Sequence, residues 1–359
     1  MKKMIVVSII IVAAILVSAV AFVMIKPAQT VKHVFFQLSW IPVGDHMAYY
    51  AAKEKYWPAL GLDVTIVKGS GSGDTILKVG QGVADFGEAA FESGLELRAV
   101  QLYPVRMIFD VSTETHHGFI YIKNRDAGRG VIDPNNIKSL EGKITGEPAW
   151  SAIVAELPAF AALAGFDASK LEIIDMDPGA KIPALINGST DLTGLSLSNT
   201  AAYETAIKEA LPDAEVGLIW FKDYGFRMVG DGVWTTDKLI AQDSETVKKF
   251  VEGLQQGWAF AAANPDEAAR IMSAELPEYK GTEGDLVQGF YDLFSATTNM
   301  EVQKTRGVGW MPPDLIEASV KNAYIIMNIP EDSQLSNWED IYTNNFINPS
   351  ILATTAPWE

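Results

Sequence analysis

The stretch "LSWIPVGDHMAYYAAKEKYW", Leu38 to Trp57, gathers tryptophan, aspartate, histidine and tyrosines where an apolar strand-like run stops and an aromatic helix begins. These residue types can do two kinds of work. Trp40 and Tyr49 offer flat faces on which a ring can stack, and Asp45 and His46 offer partners for its polar edge. Each also has a structural use: the aromatics can pack the helix against a sheet, and Asp45 is a natural N-cap for a helix starting at Met47.

Catalysis finds little support elsewhere. The four histidines are His33, His46, His116 and His117, and none forms an H-x-x-x-H or H-E-x-x-H pair. His116 and His117 are adjacent, so in a strand they point to opposite faces, and no metal site is expected. The chain has no cysteine, hence no disulfide, thiolate ligand or thiol nucleophile. "GSGSGD", Gly69 to Asp74, is neither a phosphate loop nor a dinucleotide fingerprint, which leaves a plain turn or one whose amides face something polar. No G-x-S-x-G elbow occurs, and the 45 acids single out no acid and base couple. Neither catalytic residues nor a cofactor are expected.

The elements that must position these residues alternate between strand and helix, the pattern of an α/β protein long enough for two domains. "HVFFQLS", a helix from Met47 to Leu60, "LDVTIV", "DTILKVGQG" and "ADFGEAA" form one series. "GKITGEP", a helix from Ser151 to Leu163, "LEIIDMD", "KIPALINGS" and "DLTGLS" form a second. The two match: Gly61 and Gly165 close helices, Gly82 and Gly188 precede the last strands, and Asp85 and Asp191 each follow that second glycine by three. Two lobes of related β-α-β build follow. The last third is helical, with Val247, Phe250, Val251, Leu254 and Trp258 on one face behind a cap at Asp243 or Ser244, and "NPDEAARIM" starting a helix capped by Asn264. Further helices are expected at Pro313 to Met327 and Trp338 to Tyr342. "EVGLIWFKDYG" and "FRMVGDGVWTT" read as extended segments that return the chain to the first lobe.

Ahead of this, "MKK" precedes an uncharged apolar run from Met4 to Ile25, so 1–29 reads as a signal peptide or an N-terminal membrane anchor. Small residues at Ala19 to Ala21 offer a cleavage site, and no cysteine is present for lipid attachment. The net charge of -17 repels nucleic acid and anionic membranes, so neither is expected as a partner beyond the anchor itself.

In "SWIPVGDH", "GLDV", "VGQGVADFG", "IKSLEGKITGEP" and "NPDEAARIM" the chain from about residue 30 onward resembles the extracytoplasmic solute-binding proteins of ABC importers. Within them it is similar to the NMT1/THI5-like and SsuA-like group, whose members bind thiamine-pyrimidine precursors, riboflavin or sulfonates. The resemblance implies a type II periplasmic-binding-protein fold with a ligand cleft between lobes 31–115 plus 225–359 and 116–224, and hinge segments near "VSTETHHGF" and "FKDYGF". It implies a monomer that delivers a small molecule to a permease and its ATPase at the outer face of the membrane. The family start reads roughly D-W-x-P-N-x-x-H, and Ser39 stands where its aspartate would. The same group holds a pyrimidine synthase that keeps pyridoxal phosphate on a lysine and consumes its own histidine; Ala89 and Ser93 stand at those positions, and its cysteine cluster is missing.

In α/β lobes ligands sit at the carboxyl ends of strands. That rule picks Trp40, Asp45, His46 and Tyr49 after the first strand, Ser70, Ser72 and Asp74 after the second, and Glu88 after the third. From the second lobe it picks Glu147, Trp150, Ser196, Ser198 and Asn199, with Tyr224 and Trp234 from the return crossing. The set holds aromatics and acids but no arginine or lysine, which a sulfonate or nitrate would call for. A neutral or cationic nitrogen heterocycle such as an aminopyrimidine is therefore the expected ligand, with a sulfonate or nitrate held by helix N-termini as the alternative.

Overall fold

The computed structural model describes residues 31–353; the apolar leader at 1–29 lies outside the described residues. Among the described residues no helix is long and apolar enough to cross a membrane. The chain builds β1 (Lys32–Gln37), α1 (Met47–Lys55), β2 (Leu62–Val67), α2 (Ser72–Gly80), β3 (Phe86–Ala90), α3 (Phe91–Ala99) and β4 (Val105–Asp110). It then crosses to β5 (His117–Ile122), β6 (Ile144–Glu147), α4 (Ala152–Ala164), β7 (Glu172–Asp175), α5 (Lys181–Asn187), β8 (Leu192–Ser196), α6 (Thr200–Ala210) and β9 (Val216–Trp220). After returning it forms β10 (Asp231–Thr236), α7 (Asp237–Gln242), α8 (Ser244–Ala263), α9 (Pro265–Glu275), α10 (Glu283–Thr297), α11 (Met300–Arg306) and α12 (Pro313–Ile326).

Two five-stranded sheets result, ordered β2-β1-β3-β10-β4 and β7-β6-β8-β5-β9. Position by position they share one topology. β1 runs parallel to β2 and β3, as β6 does to β7 and β8, while β10 and β5 run antiparallel to both of their neighbours. The antiparallel strand in each sheet is the one that has just crossed from the other.

The glycine and aspartate repeat has a structural cause. Gly61 and Gly165 end their helical turns in the left-handed region at φ 80° and 83°, where a side chain would be strained. Asp85 exchanges two bonds with Phe35: the Phe35 N–H donates to Asp85 Oδ2 at 2.8 Å and the Asp85 N–H to Phe35 O at 3.1 Å. Asp191 repeats this with Ile144, both at 2.8 Å. Each aspartate adds a rung to the parallel ladder just before the third strand begins.

The first lobe's core lies between its sheet and α8. Phe250 stacks on Phe86 at 3.8 Å and on Trp57 at 5.0 Å, and Trp57 Nε1 donates to Phe250 O at 2.8 Å, so the indole is buried with its one donor satisfied. A Cβ on Gly257 of α8 would lie 2.4 Å from Ala48 O, so glycine is what lets α8 approach α1. Two local expectations fail here. The first helix ends at Lys55 rather than Leu60, because Pro58 lacks an N–H to continue it and opens a separate turn, Pro58–Leu60. Asn264 does not cap α9 with its side chain; its Nδ2 donates back to Phe260 O at 3.3 Å, whereas Asp243 caps α8 by accepting from the Thr246 N–H at 3.2 Å.

Candidate functional site

The lobes touch on both sides of an interior cavity of ≈ 60 Å³. On one side the Gly73 N–H donates to Trp150 O at 3.2 Å, and a Cβ on Gly71 would lie 2.1 Å from that oxygen. On the other, α10 packs Gly289 against Ser198, and Thr205 Oγ1 donates to Asp285 Oδ1 at 3.0 Å.

Glu88 organises the first lobe's wall. It lies on β3, buried, and accepts from Ser39 Oγ at 3.3 Å, His46 Nε2 at 2.8 Å and Tyr49 Oη at 2.9 Å. His46 Nδ1 in turn accepts the Val43 N–H at 3.1 Å, which assigns the tautomer with its proton on Nε2. Burial acts to lower the His46 pKa, but Glu88 and Asp45 outweigh it and hold it up at about 9; the backbone N–H at Nδ1 opposes a second proton there. Asp45 is buried beside it, and among the described residues its Oδ1 has no hydrogen-bond partner. Burial raises its pKa to about 6, with His46 opposing.

The second lobe contributes a cation. Lys181, the first residue of α5, is buried with Nζ 2.9 Å from the Glu147 carboxylate and 4.7 Å from the centre of the Trp40 ring, so a lysine of one lobe sits over an indole of the other. Burial lowers its pKa, and Glu147 resists this. Glu147 ends β6 and also accepts from Thr193 Oγ1 at 3.2 Å and from the Gly194 N–H. Ser196, Ser198 and Asn199 finish this wall: the two serine hydroxyls lie 2.6 Å apart, and Asn199 Oδ1 accepts the Ser196 N–H at 3.0 Å.

The crossings supply a third group. His117 and Asp231 line the cavity and His116 is buried beside them. His117 Nδ1 lies 2.8 Å from Glu156 Oε1, and burial pushes the Glu156 carboxyl well up. Burial alone would raise the Asp231 pKa, yet His116 and His117 hold it below the usual carboxylate range.

Of the residues selected from sequence, Trp40, Asp45, His46, Ser72, Glu88, Ser196, Ser198 and Asn199 line the cavity. Asp45 does not cap α1, whose N-cap position is His46 without a side-chain bond; a short turn at Gly44–His46 precedes the helix and turns the carboxylate inward. Ser72 Oγ is partly committed, accepting the Ala90 N–H at 3.1 Å. Tyr49 is no stacking face. Its ring is fully buried against His46 and Phe36, and it reaches the site only through its bond to Glu88. Glu147 stands behind the wall as the partner of Lys181. Ser70 is exposed, Asp74 pairs with Lys78 at 2.6 Å one helical turn on, and Trp150 is 57% exposed. Tyr224 packs edge-on against Phe160, and Trp234 is buried under Gly94 with Nε1 donating to Ala89 O at 3.0 Å.

The expectation of a set without lysine is corrected by Lys181. The strand-end rule, applied to the exit of β7, points to it. Asp231 begins a strand, and only the antiparallel direction of β10 brings that start to the edge where the parallel strands end. His116 and His117 do not diverge as strand neighbours would: β5 starts at His117, and the rings lie 4.6 Å apart.

The comparisons agree with this architecture. The family model described as NMT1/THI5 like matches residues 43–268. A 4-amino-5-hydroxymethyl-2-methylpyrimidine phosphate synthase of Candida albicans is 24% identical over 255 residues, 67% of this chain and 70% of that one. A solved protein of Bordetella bronchiseptica superposes with a TM-score of 0.69 at 20% identity, covering 88% of this chain and 95% of its own. The alkanesulfonate-binding protein SsuA of Xanthomonas axonopodis, bound to MOPS, superposes at 0.61 with 11% identity, covering 86% and 97%. With the two matched sheets closing on a cavity and a family match over more than half its length, this chain belongs to the NMT1/THI5-like family and has the periplasmic-binding-protein fold.

Proposed function

We propose that the protein is an exported, monomeric solute-binding protein of an ABC import system, held or released by the leader at 1–29. It takes a small neutral or cationic nitrogen heterocycle, of the thiamine-pyrimidine-precursor type, between lobes 31–115 plus 225–359 and 116–224, and delivers it to a permease and its ATPase. The observation that carries this reading is the charge balance of the cavity. Asp45, Glu88 and Asp231 line it, while its one lysine, Lys181, is already paired with Glu147. Among the described residues Asp45 Oδ1 and Asp231 Oδ1 are the acceptors left open for ring or amino N–H groups, Glu88 being engaged by Ser39, His46 and Tyr49, and Trp40 supplies a face for the ring.

A sulfonate or nitrate ligand draws support from Lys181 and from the likeness to SsuA. An anion would stand among three carboxylates set against Lys181 and a His46 whose pKa is held up at about 9, a balance that disfavours it. The relative named as a synthase raises a catalytic reading, but Ala89 is a buried strand residue and Ser93 a buried helix residue at the positions where the resemblance implies the lysine and histidine of that activity.

Thermal-shift measurements with aminopyrimidines, riboflavin, taurine and nitrate test the assignment, since a ligand at 100 times its Kd stabilises by about 2.7 kcal/mol. Stabilisation by taurine or nitrate alone would reject the heterocycle. Covalent retention of pyridoxal phosphate, lost in Lys181→Met, would reject the non-enzymatic reading. Trp40→Ala should weaken ring binding by about 2- to 10-fold, the worth of one aromatic pair, with the fold intact; unchanged affinity would reassign Trp40 to packing.

A further inference from the structure

We infer that the two lobe crossings form a transition-metal site, with His116, His117 and Asp231 as ligands for a borderline divalent ion such as Zn²⁺ or Co²⁺. The three offer donor atoms that all lie within 4.8 Å of one another, and all three residues are buried. The donors are free to bind. Among the described residues neither ring nitrogen of His116 nor Asp231 Oδ1 has a hydrogen-bond partner, a costly condition for buried polar atoms that only a long ion pair between His116 and Asp231 eases. His116 Nε2 and Asp231 Oδ2 stand 3.5 Å apart, close to the roughly 3.4 Å that separates two ligands of a tetrahedral ion with bonds of about 2.0–2.1 Å.

His117 has the outer partner that a metal-bound imidazole typically requires. With Nδ1 engaged by Glu156 Oε1 at 2.8 Å, Nε2 is the atom left to bind. Binding there needs Nδ1–H to face a carboxylate, and Glu156 stands in that place. Two imidazoles and one carboxylate suit Zn²⁺ or Co²⁺ better than Ca²⁺ or Mg²⁺, which prefer all-oxygen shells. By contrast, the neighbouring group of Asp45, His46 and Glu88 is spent on itself: both nitrogens of His46 and both oxygens of Glu88 already have partners.

The fold brings the ligands together by its own symmetry. Asp231 pairs with Ala90 on β3, and His117 pairs with Ser196 on β8. Ala90 and Ser196 each stand five residues beyond the matching aspartates, Asp85 and Asp191. The first residues of the two crossing strands therefore hold equivalent places in the two sheets and meet between them. An ion there ties the outgoing crossing to the returning one and leaves a coordination position for water or a cavity-bound group. Such an ion would take Asp231 out of the carboxylates that face the solute, leaving Asp45 and Glu88, and binding of the metal alone tells the two roles apart.

The test is equilibrium dialysis of chelator-stripped protein against Co²⁺ and Zn²⁺, with the visible spectrum of the Co²⁺ form. One ion per chain is expected, with the intense absorption of four- or five-coordinate Co²⁺. His116→Gln, His117→Gln and Asp231→Asn should each weaken binding by more than about 100-fold, whereas Glu156→Gln should fall within the 10–100-fold range of an outer-shell loss. His33→Gln, at the surface beside Asp63, should leave uptake unchanged. No uptake, loss confined to His33→Gln or to His46→Gln, or retention in His116→Gln would overturn the proposal. Should a variant fail to fold, imidazole resonances of the unaltered protein decide: Zn²⁺ must shift those of His116 and His117, and a shift of His46 alone would reject the site.

Discussion

The two lobes repeat one topology, yet they make their binding walls differently. In the first, the residue three past the ladder aspartate is Glu88, which projects its carboxylate from β3 and collects Ser39, His46 and Tyr49. In the second, the residue three past Asp191 is Gly194, and the acid comes instead from the end of β6. A Cβ at Gly194 would lie 2.6 Å from Glu147 Oε1, so the missing side chain makes the room that Glu147 fills. One wall presents acceptors held by neutral or switchable groups; the other presents a lysine held by an acid. The shared backbone sets where a side chain can project, and single substitutions decide which charge is presented.

The largest expected effect breaks the second wall. Glu147→Ala strands a buried Lys181 and should cost about 3–5 kcal/mol in denaturant unfolding, the usual penalty for removing one member of a buried pair. The double variant Glu147→Ala with Lys181→Met should recover most of it, and failure to do so would mean the pair is not the cause. Next comes Gly194→Ala, which forces a Cβ within 3.0 Å of both Glu147 and Ile153 and should destabilise by about 1–3 kcal/mol; an unchanged melting temperature would show that the wall can yield.

The smallest effect separates the two ladder aspartates. Asp191 also holds Arg129 at 2.6 Å, while Asp85 is without such a partner among the described ion pairs. Asp191→Asn should therefore cost about 1.5–3 kcal/mol and Asp85→Asn about 0.5–1.5 kcal/mol, as expected for bonds to a charged and to a neutral group. Equal losses would make the arginine irrelevant to the difference.

Much of this molecule is legible without coordinates. Period-two runs such as "LDVTIV", glycines that end helical turns, and the paired G-x-x-D spacing depend on neighbours a few residues apart, so they identify the elements and the doubled architecture. The same local information picks out Trp40, Asp45 and His46 beyond the first strand, but it puts Glu88 after the third strand, whereas Glu88 is the middle residue of β3. It misjudges Tyr49 and Trp150, because burial depends on what packs over a residue: α8 covers the first, and solvent meets the second.

What the sequence determined by itself is the alternation, the repeat and an acid-rich first strand exit. What tertiary structure decided is the company those residues keep. Lys181 lies 141 residues from Trp40 and Asp231 lies 114 from His117, and no local spacing encodes their meeting. They meet because two crossing strands reverse direction, turning strand starts toward the edge where parallel strands end, and because the lobes close over the gap.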